Sequence, residues 1–340
     1  MRLERKIRRA PAERPVPRPA ALPTTALITL GVAAGPPPKP NRCGISSVLK
    51  IGRAVYLIDA GLGSLNAFTN AGLHVSDLRS IFITHLHADH FVDYYNFFVS
   101  GGFSTRHDRV PMCVYGPGPA GGLPRSQLGD PDPPTVARAE PAPGIAATTD
   151  LLHRAFAYSS NIFVRDYGIV NIEDLANVTE IVVPPGSDYR LRSPEMDPFF
   201  VMSDDNIRVT ATLVPHYDVY PAFAFRFDLI ESGVSVTFSG DTTKSDNLIR
   251  LAEKTDILVH EAMFSLDDDY WHGNFPPNYQ CNSHTSAEQV GEVAAAADVR
   301  HLVVSHYSPL DLADADWLGE IGKNFSGKTT IARDGQIFRL

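Results

Sequence analysis

Four residues of the types that bind metal ions are concentrated within six positions of the sequence. They are His85, His87, Asp89 and His90. In an extended loop, residues two apart point to the same side, so the first three side chains can converge while His90 turns inwards as a helix begins. Neutral imidazole and carboxylate donors without a thiolate suit zinc, and also manganese or iron, and four of them can begin two metal sites. This spacing favours a metal centre over four unrelated core or surface residues.

The elements that position these donors are predicted strands. The apolar residues 80–83 directly precede the histidine-rich segment and are typical of a buried strand. The segment therefore falls at the end of a strand, where loops carry chemistry on a rigid base. Three more donor residues follow predicted strands in the same way: His216, Asp241 and His306. Each alone has an ordinary explanation as a turn or surface residue, but together they supply the donors that two metal sites need.

Three further polar residues lie in segments predicted to border this site. Asp59 ends a strand and enters a glycine-rich turn, either as a plain turn residue or as a hydrogen-bonding support for the histidine loop. His284 precedes a predicted helix, at which Thr285-x-x-Glu288 has the pattern of a capping box. We expect His284 to protonate the leaving group and Glu261 to hold it protonated and oriented. The plain alternatives are a loop histidine and a solvated surface acid.

Composition restricts the classes of function. The net charge of −9 argues against a general nucleic-acid binder, since neutralising phosphates needs clustered Lys and Arg. With 44% hydrophobic residues, the chain can bury one large core. The three cysteines are odd in number and form no Cys-x-x-Cys pair, which favours a reducing compartment.

The N-terminal residues allow two interpretations. Residues 1–22 are rich in Arg and Pro and are predicted to form a flexible arm. Residues 1–34 loosely resemble a secretory signal, which would make the protein secreted or periplasmic. Pro23, Thr24 and Thr25 interrupt the apolar part, so a cytoplasmic location is the expectation. No apolar run in the sequence is long enough to span a membrane.

Residues 105–200 have the least regular pattern. Residues 116–144 are rich in Pro and Gly and are predicted to form a long loop. Residues 149–166 have helical spacing, which predicts a helical cap over the site. The whole stretch contains eight Arg, no Lys and twelve Asp or Glu. A tRNA-gripping arm should be basic, and this stretch is acidic.

The order His-x-His-x-Asp-His, then His, Asp and His, resembles the metallo-β-lactamase superfamily. Residues 258–264 resemble the His-Glu-Ala-Thr loop of its ribonuclease Z and arylsulfatase-like branch, with Met263 in place of the usual Thr. Residues 283–288 resemble the second catalytic loop of that branch. The resemblance implies an α/β (α+β) protein with a four-layer αββα sandwich over residues 23–340, and a partly helical cap inserted at about 105–200.

The resemblance also implies how the donors divide between two divalent metal ions that share an activated water. The first ion would be bound by His85, His87 and His216. The second would be bound by Asp89, His90 and His306, and Asp241 would bridge the two. Asp89, His284 and Glu261 are the expected catalytic residues. Zinc is the expected metal, with manganese or iron as alternatives.

The predicted function is dinuclear metal-dependent hydrolysis of a small-molecule anionic ester, either a sulfate ester or a phosphodiester. Met263 and the acidic insertion favour this arylsulfatase-like activity over the alternative, a ribonuclease Z-like endonuclease for tRNA 3′ ends. A lactonase or another biosynthetic hydrolase of the same fold is a further alternative. Redox chemistry is disfavoured, because flavodiiron relatives of this fold have Glu where His87 stands. A non-enzymatic scaffold is also disfavoured, because it would be expected to lack some of the metal ligands, and none is missing here. Relatives are often homodimers, and no membrane partner is expected.

Overall fold

Two seven-stranded sheets form the centre of the molecule. The computed structural model describes residues 22–104, 111–267, 269–270 and 276–340. The first sheet contains β1 (Thr25–Gly31), β2 (Ser46–Ile51), β3 (Ala54–Ile58), β4 (Leu78–Phe82), β5 (Met112–Pro117), β6 (Ala176–Ile181) and β14 (Gln336–Arg339). The second contains β7 (Phe199–Ser203), β8 (Ile207–Leu213), β9 (Phe223–Leu229), β10 (Ser235–Phe238), β11 (Ile257–Met263), β12 (His301–Ser308) and β13 (Lys328–Ile331).

Both sheets are mixed. The strand orders are β14-β1-β2-β3-β4-β5-β6 and β13-β12-β11-β10-β9-β8-β7. The strands from β3 to β6 and from β10 to β13 run parallel to their neighbours, and the remaining neighbours pair antiparallel. Sheets with such parallel halves are covered on both faces, which explains the continuous apolar runs in the sequence.

Helices cover the outer face of each sheet. On the first sheet lie α1 (Ser64–Asn70), α3 (Tyr94–Ser104) and α4 (Ile145–Ile162); on the second lie α5 (Asp246–Leu251), α7 (Ala287–Ala296) and α8 (Asp314–Ile321). Two short helices, α2 (Ala88–Phe91) and α6 (Tyr279–Ser283), belong to loops at one end of the sheets. In β1, Leu27 enters the core between the sheets, and Ala26 and Ile28 enter the core under the outer helices. The predicted four-layer αββα class is therefore confirmed.

The described part of residues 105–200 is built into these layers. β5 and β6 complete the edge of the first sheet, and β7 is the edge of the second. Helix α4 contacts β5, β6 and α3 through buried Ile145 and Thr149, so it is part of the outer helical layer rather than a cover for the site. The Pro- and Gly-rich loop before α4 reaches the rim of the site instead, where Gln127 donates a hydrogen bond to Asp218 over 2.9 Å.

Of the predicted N-terminal arm of residues 1–22, all but Leu22 lie outside the described residues. Among the residues that the structure does describe, none forms a helix long and apolar enough to cross a membrane.

Candidate metal centre

The predicted donors come together where several strands end. β4 leads into the loop that carries His85 and His87, and α2 then presents Asp89 and His90. His216 follows β8, and Asp241 follows β10. These side chains are buried, except that of His87, which is partly exposed.

His306 lies inside β12 rather than after it, and a β-bulge aims it at the site. His260 of β11 pairs with Val304, and Ala262 pairs with Tyr307, so two residues of β12 oppose one residue of β11. His306 has a φ of 50°, in the left-handed region that non-glycine residues rarely adopt. The extra residue therefore turns the His306 imidazole towards the other donors.

Glycines allow the backbone to approach closely around the donors. A Cβ atom on Gly61 would collide with the carbonyl oxygen of Asp89. A Cβ on Gly240, which has a φ of 59°, would lie 2.5 Å from the carbonyl oxygen of Phe223. Both loops that flank the site thus require glycine at these positions.

The seven donors form two groups, within each of which the candidate ligand atoms lie no more than 4.8 Å apart. The first group is His85, His87 and His216, and the second is Asp89, His90, Asp241 and His306. Asp241 faces both groups. Its Oδ2 lies 3.8 Å from His216 Nε2 and 4.0 Å from His85 Nε2, whereas its Oδ1 lies 3.3 Å from His90 Nε2. This is the arrangement that a carboxylate needs to contact two cations at once.

Unsatisfied buried atoms show that the cluster suits cations. His85 Nε2, His306 Nδ1 and Asp241 Oδ1 are all buried without a hydrogen-bond partner among the described residues. His216 Nε2 lies 3.1 Å from His87 Nδ1, and His90 Nε2 lies 3.3 Å from His306 Nε2. Such convergence of lone pairs is costly unless a cation lies between them. The donor set of imidazoles and carboxylates fits zinc, manganese or iron.

An outer layer of hydrogen bonds orients the imidazoles. Asp59 Oδ2 lies 2.9 Å from His90 Nδ1, and its Oδ1 accepts from the Thr84 backbone N–H over 2.8 Å. His216 Nδ1 donates to the carbonyl oxygen of Ser283 over 2.8 Å. Such bonds fix the tautomer, so that the Nε2 lone pair of each ring points into the site. Asp59 thus provides the support predicted for it, whereas nothing in the sequence singled out Thr84.

Electrostatics within the cluster favours neutral imidazoles in the first group and ionised carboxylates. Burial lowers the pKa of His216 to about 3, and burial with the nearby His90 lowers the pKa of His85 well below its usual range. Burial opposes ionisation of Asp241, but His306 and His90 hold its pKa well below the ordinary value. Neutral imidazole and ionised carboxylate are the forms that bind a metal ion.

Glu261 and His284 form a buried pair beside the donors. Glu261 Oε1 lies 3.3 Å from His284 Nδ1 and accepts hydrogen bonds from the backbone N–H groups of Thr242 and Thr285. Burial opposes protonation of His284, but Glu261 raises its pKa above the ordinary value. Glu261 is 2% exposed, so the alternative of a solvated surface acid does not apply. The imidazole of His284 also lies 5.3 Å from that of His216, between ring centroids.

The predicted capping box at Thr285 and Glu288 is wrong by one residue. Helix α7 begins at Ala287, and Ser286 and Gln289 cap each other's backbone N–H groups. Thr285 instead donates its hydroxyl to the carbonyl oxygen of Thr242 over 2.6 Å. That bond ties the His284 loop to the Asp241 loop.

Two family models match parts of this chain, and relatives match most of it. Residues 147–307 match the family described as Beta-lactamase superfamily domain, and residues 27–114 match the family described as Anti-Pycsar protein Apyc1. A protein named Ribonuclease Z from Mycobacterium avium is 28% identical over 312 residues, which cover 90% of this chain and 95% of that relative.

Solved structures extend the likeness to the fold. The metallo-beta-lactamase fold protein YhfI from Bacillus subtilis has a TM-score of 0.62 at 16% identity and covers 93% of this chain and 99% of its own. The short form of human tRNase Z has a TM-score of 0.61 at 20% identity, with coverage of 92% and 98%. The resemblance found in the sequence is thereby confirmed, and the chain is a metal-dependent hydrolase of ester bonds with the metallo-β-lactamase fold.

Proposed function

We propose that this protein hydrolyses phosphodiester bonds of RNA in a ribonuclease Z-like reaction, with precursor tRNA as the substrate class. The observation that carries the proposal is the pair of donor groups joined by Asp241, beside the buried pair of His284 and Glu261. Similarity to relatives named ribonuclease Z over 90% of this chain supports RNA more strongly than the small-molecule sulfate ester or phosphodiester that the sequence favoured.

The seven donors are assigned to two divalent metal ions, zinc first and manganese or iron as alternatives. His85, His87 and His216 would hold one ion. Asp89, His90 and His306 would hold the other, and Asp241 would contact both. Metal ions held there would supply Lewis acidity, which lowers the pKa of a water and offsets negative charge on the phosphoryl oxygens.

Three side chains have further roles in the proposed reaction. Burial alone would raise the pKa of Asp89, but His90 and His306 lower it below its ordinary value, so the carboxylate is ionised. Asp89 can therefore accept a hydrogen bond from the attacking water and orient it. His284, kept protonated by Glu261, donates its proton to the leaving oxygen.

Removal of divalent metal is expected to abolish hydrolysis and to lower the thermal unfolding midpoint by about 5 °C. A ligand that binds only the folded state stabilises it, and buried atoms such as His85 Nε2 have no hydrogen-bond partner among the described residues. Calorimetry with EDTA, and again after zinc is restored, measures the shift. A midpoint that EDTA leaves unchanged would contradict the proposed metal centre.

The substrate class is tested with purified, zinc-loaded protein and precursor tRNA that carries a 3′ trailer. We expect one cut near the tRNA 3′ end, at a rate that falls as salt rises, because phosphate contacts are screened. Bis(p-nitrophenyl) phosphate, p-nitrophenyl sulfate and a lactone are assayed in parallel. Failure to cut precursor tRNA at low salt, with either zinc or manganese, would overturn the proposal.

A small-molecule sulfate ester or phosphodiester is the second candidate substrate. The observation that favours it is the acidic stretch of residues 105–200, which has no Lys and more acidic residues than Arg. Hydrolysis of the chromogenic sulfate without cleavage of precursor tRNA would identify this candidate.

A cytoplasmic location and a homodimer complete the proposal. The location is supported by Cys43, Cys113 and Cys281, which form no disulfide with one another, as is usual for proteins of a reducing compartment. The homodimer rests on the resemblance to the superfamily alone.

A further inference from the structure

Two tyrosine side chains that have no role in the proposed reaction lie at the rim of the site. Tyr217 directly follows His216, and Tyr279 lies in α6, five residues before His284. Their ring centroids are 5.1 Å apart, and the centroid of Tyr279 is 6.4 Å from that of the His284 imidazole. Both residues are partly exposed. The two rings therefore form an aromatic wall next to the expected proton donor.

Backbone contacts hold this wall in place. The Tyr217 N–H donates to the carbonyl oxygen of Asn282 over 2.8 Å, and the Tyr217 carbonyl accepts from the guanidinium of Arg192. Arg192 also forms an ion pair with Asp218. Tyr217 has a φ of 44°, a conformation that a non-glycine residue keeps only when its surroundings enforce it. These contacts fix the backbone that carries the Tyr217 ring.

The carboxylates among the donors also affect the ionisation of the Tyr279 hydroxyl. Burial raises the pKa of its hydroxyl, and the carboxylates of Asp241 and Asp89 raise it further. The side chain is therefore neutral at physiological pH and close to the place where a phosphodiester would react.

An aromatic surface can supply binding energy for RNA that basic side chains do not supply in this chain. Residues 105–200 contain no Lys, and the net charge is −9, so contacts to phosphates supply less affinity than in a basic RNA-binding protein. Stacking of a base on an aromatic ring does not need a basic surface and tolerates every base, since each base has a π-face. Unpaired RNA ends expose bases for such stacking.

We propose that Tyr279 and Tyr217 form a stacking platform for a nucleobase next to the scissile phosphodiester, and so determine specificity for nucleic acid over simple esters. This inference rests on the proposed function and deepens it. Neither tyrosine takes part in bond breaking; their rings hold the base, and the base places the phosphodiester against the donors and His284.

The test removes the base from the substrate and the tyrosine ring from the protein, first separately and then together. Precursor tRNA is prepared in intact form and with an abasic nucleotide on either side of the cut, and each substrate is assayed with wild type, Tyr279→Ala and Tyr217→Ala. In wild type, one of the two abasic positions should lower kcat/KM about 5- to 150-fold, the range for one stacked base. With Tyr279→Ala, kcat/KM for the intact substrate should fall by the same factor. The abasic substrate should then differ from the intact one by less than twofold in kcat/KM.

Controls separate stacking from structural support. Tyr279→Phe keeps the ring and should retain activity within about twofold, and Tyr158→Ala, at an 84% exposed position on α4, should not change kcat/KM. Zinc content and thermal midpoint show whether each variant is folded. If Tyr279→Ala lowers kcat/KM for the intact and the abasic substrate by the same factor, removal of the base still has its full effect without the ring. That result would overturn the platform. No cleavage of intact precursor tRNA by wild type would instead overturn the proposed function, and the platform with it.

Discussion

Asp241→Ala is expected to reduce kcat/KM by at least about 1,000-fold, because several kcal/mol of transition-state stabilisation depend on both metal ions. The two oxygens of this carboxylate face the two donor groups separately, with Oδ2 towards His216 and Oδ1 towards His90. Its removal leaves each group one ligand short. Metal analysis should therefore show a fall from about two zinc ions per chain to one or fewer.

Asp316→Ala provides the matched control for this variant. Asp316 is an exposed acid in α8 and should be replaceable without a change in activity or metal content. An Asp241→Ala protein that kept two zinc ions and more than a tenth of its activity would show that Asp241 does not join two metal ions.

His284→Ala is expected to slow cleavage of RNA, which has a poor alkoxide leaving group, by about 100- to 10,000-fold. A nitrophenolate leaving group needs little protonation, so hydrolysis of bis(p-nitrophenyl) phosphate should fall by less than about tenfold. The reason is the position of His284, whose Nδ1 is bonded to Glu261 and whose ring lies beside His216. Equal slowing of both substrates would contradict proton donation.

The pH dependence gives a second readout of the same pair. Glu261 raises the pKa of His284, so the proton needed by the leaving group persists to higher pH, and activity is lost as pH rises through that pKa. Glu261→Gln removes the charge that raises this pKa. The alkaline limb of the kcat profile should therefore move to lower pH in the variant, and an unmoved limb would show that another group titrates.

The strands that deliver the donors could be predicted because local pattern determines them. Residues 46–51 and 54–58 alternate around a short turn, and both spans coincide with β2 and β3. The spacing of the donors identifies the histidine-rich segment, and the apolar residues before it predict β4. The position of the segment after β4 therefore also followed from local sequence. Local pattern is informative here because central strands such as β3 and β11 are short and buried along their whole length, so most of their residues are apolar.

Other features depend on contacts between distant residues. The amphipathic spacing of α4 indicated a buried face but not which surface would cover it, and the helix packs on the first sheet. The bulge at His306 arises from pairing with β11 and has no signature in the sequence of β12. Tyr217 and Tyr279 are 62 positions apart, counted from their numbers, and only the folded chain places them together.

The pairing of β1 with β14 has a consequence for biosynthesis. Among the described strands β1 comes first in the sequence. It lies between β2 and β14, and the backbone N–H and C=O groups of β14 pair with its second edge. On the ribosome, that edge stays open until residues 336–339 have emerged, after all the other described strands. A nascent chain of this protein therefore exposes an unpaired strand edge while residues 32–335 are being made, the kind of surface that chaperones shield from aggregation.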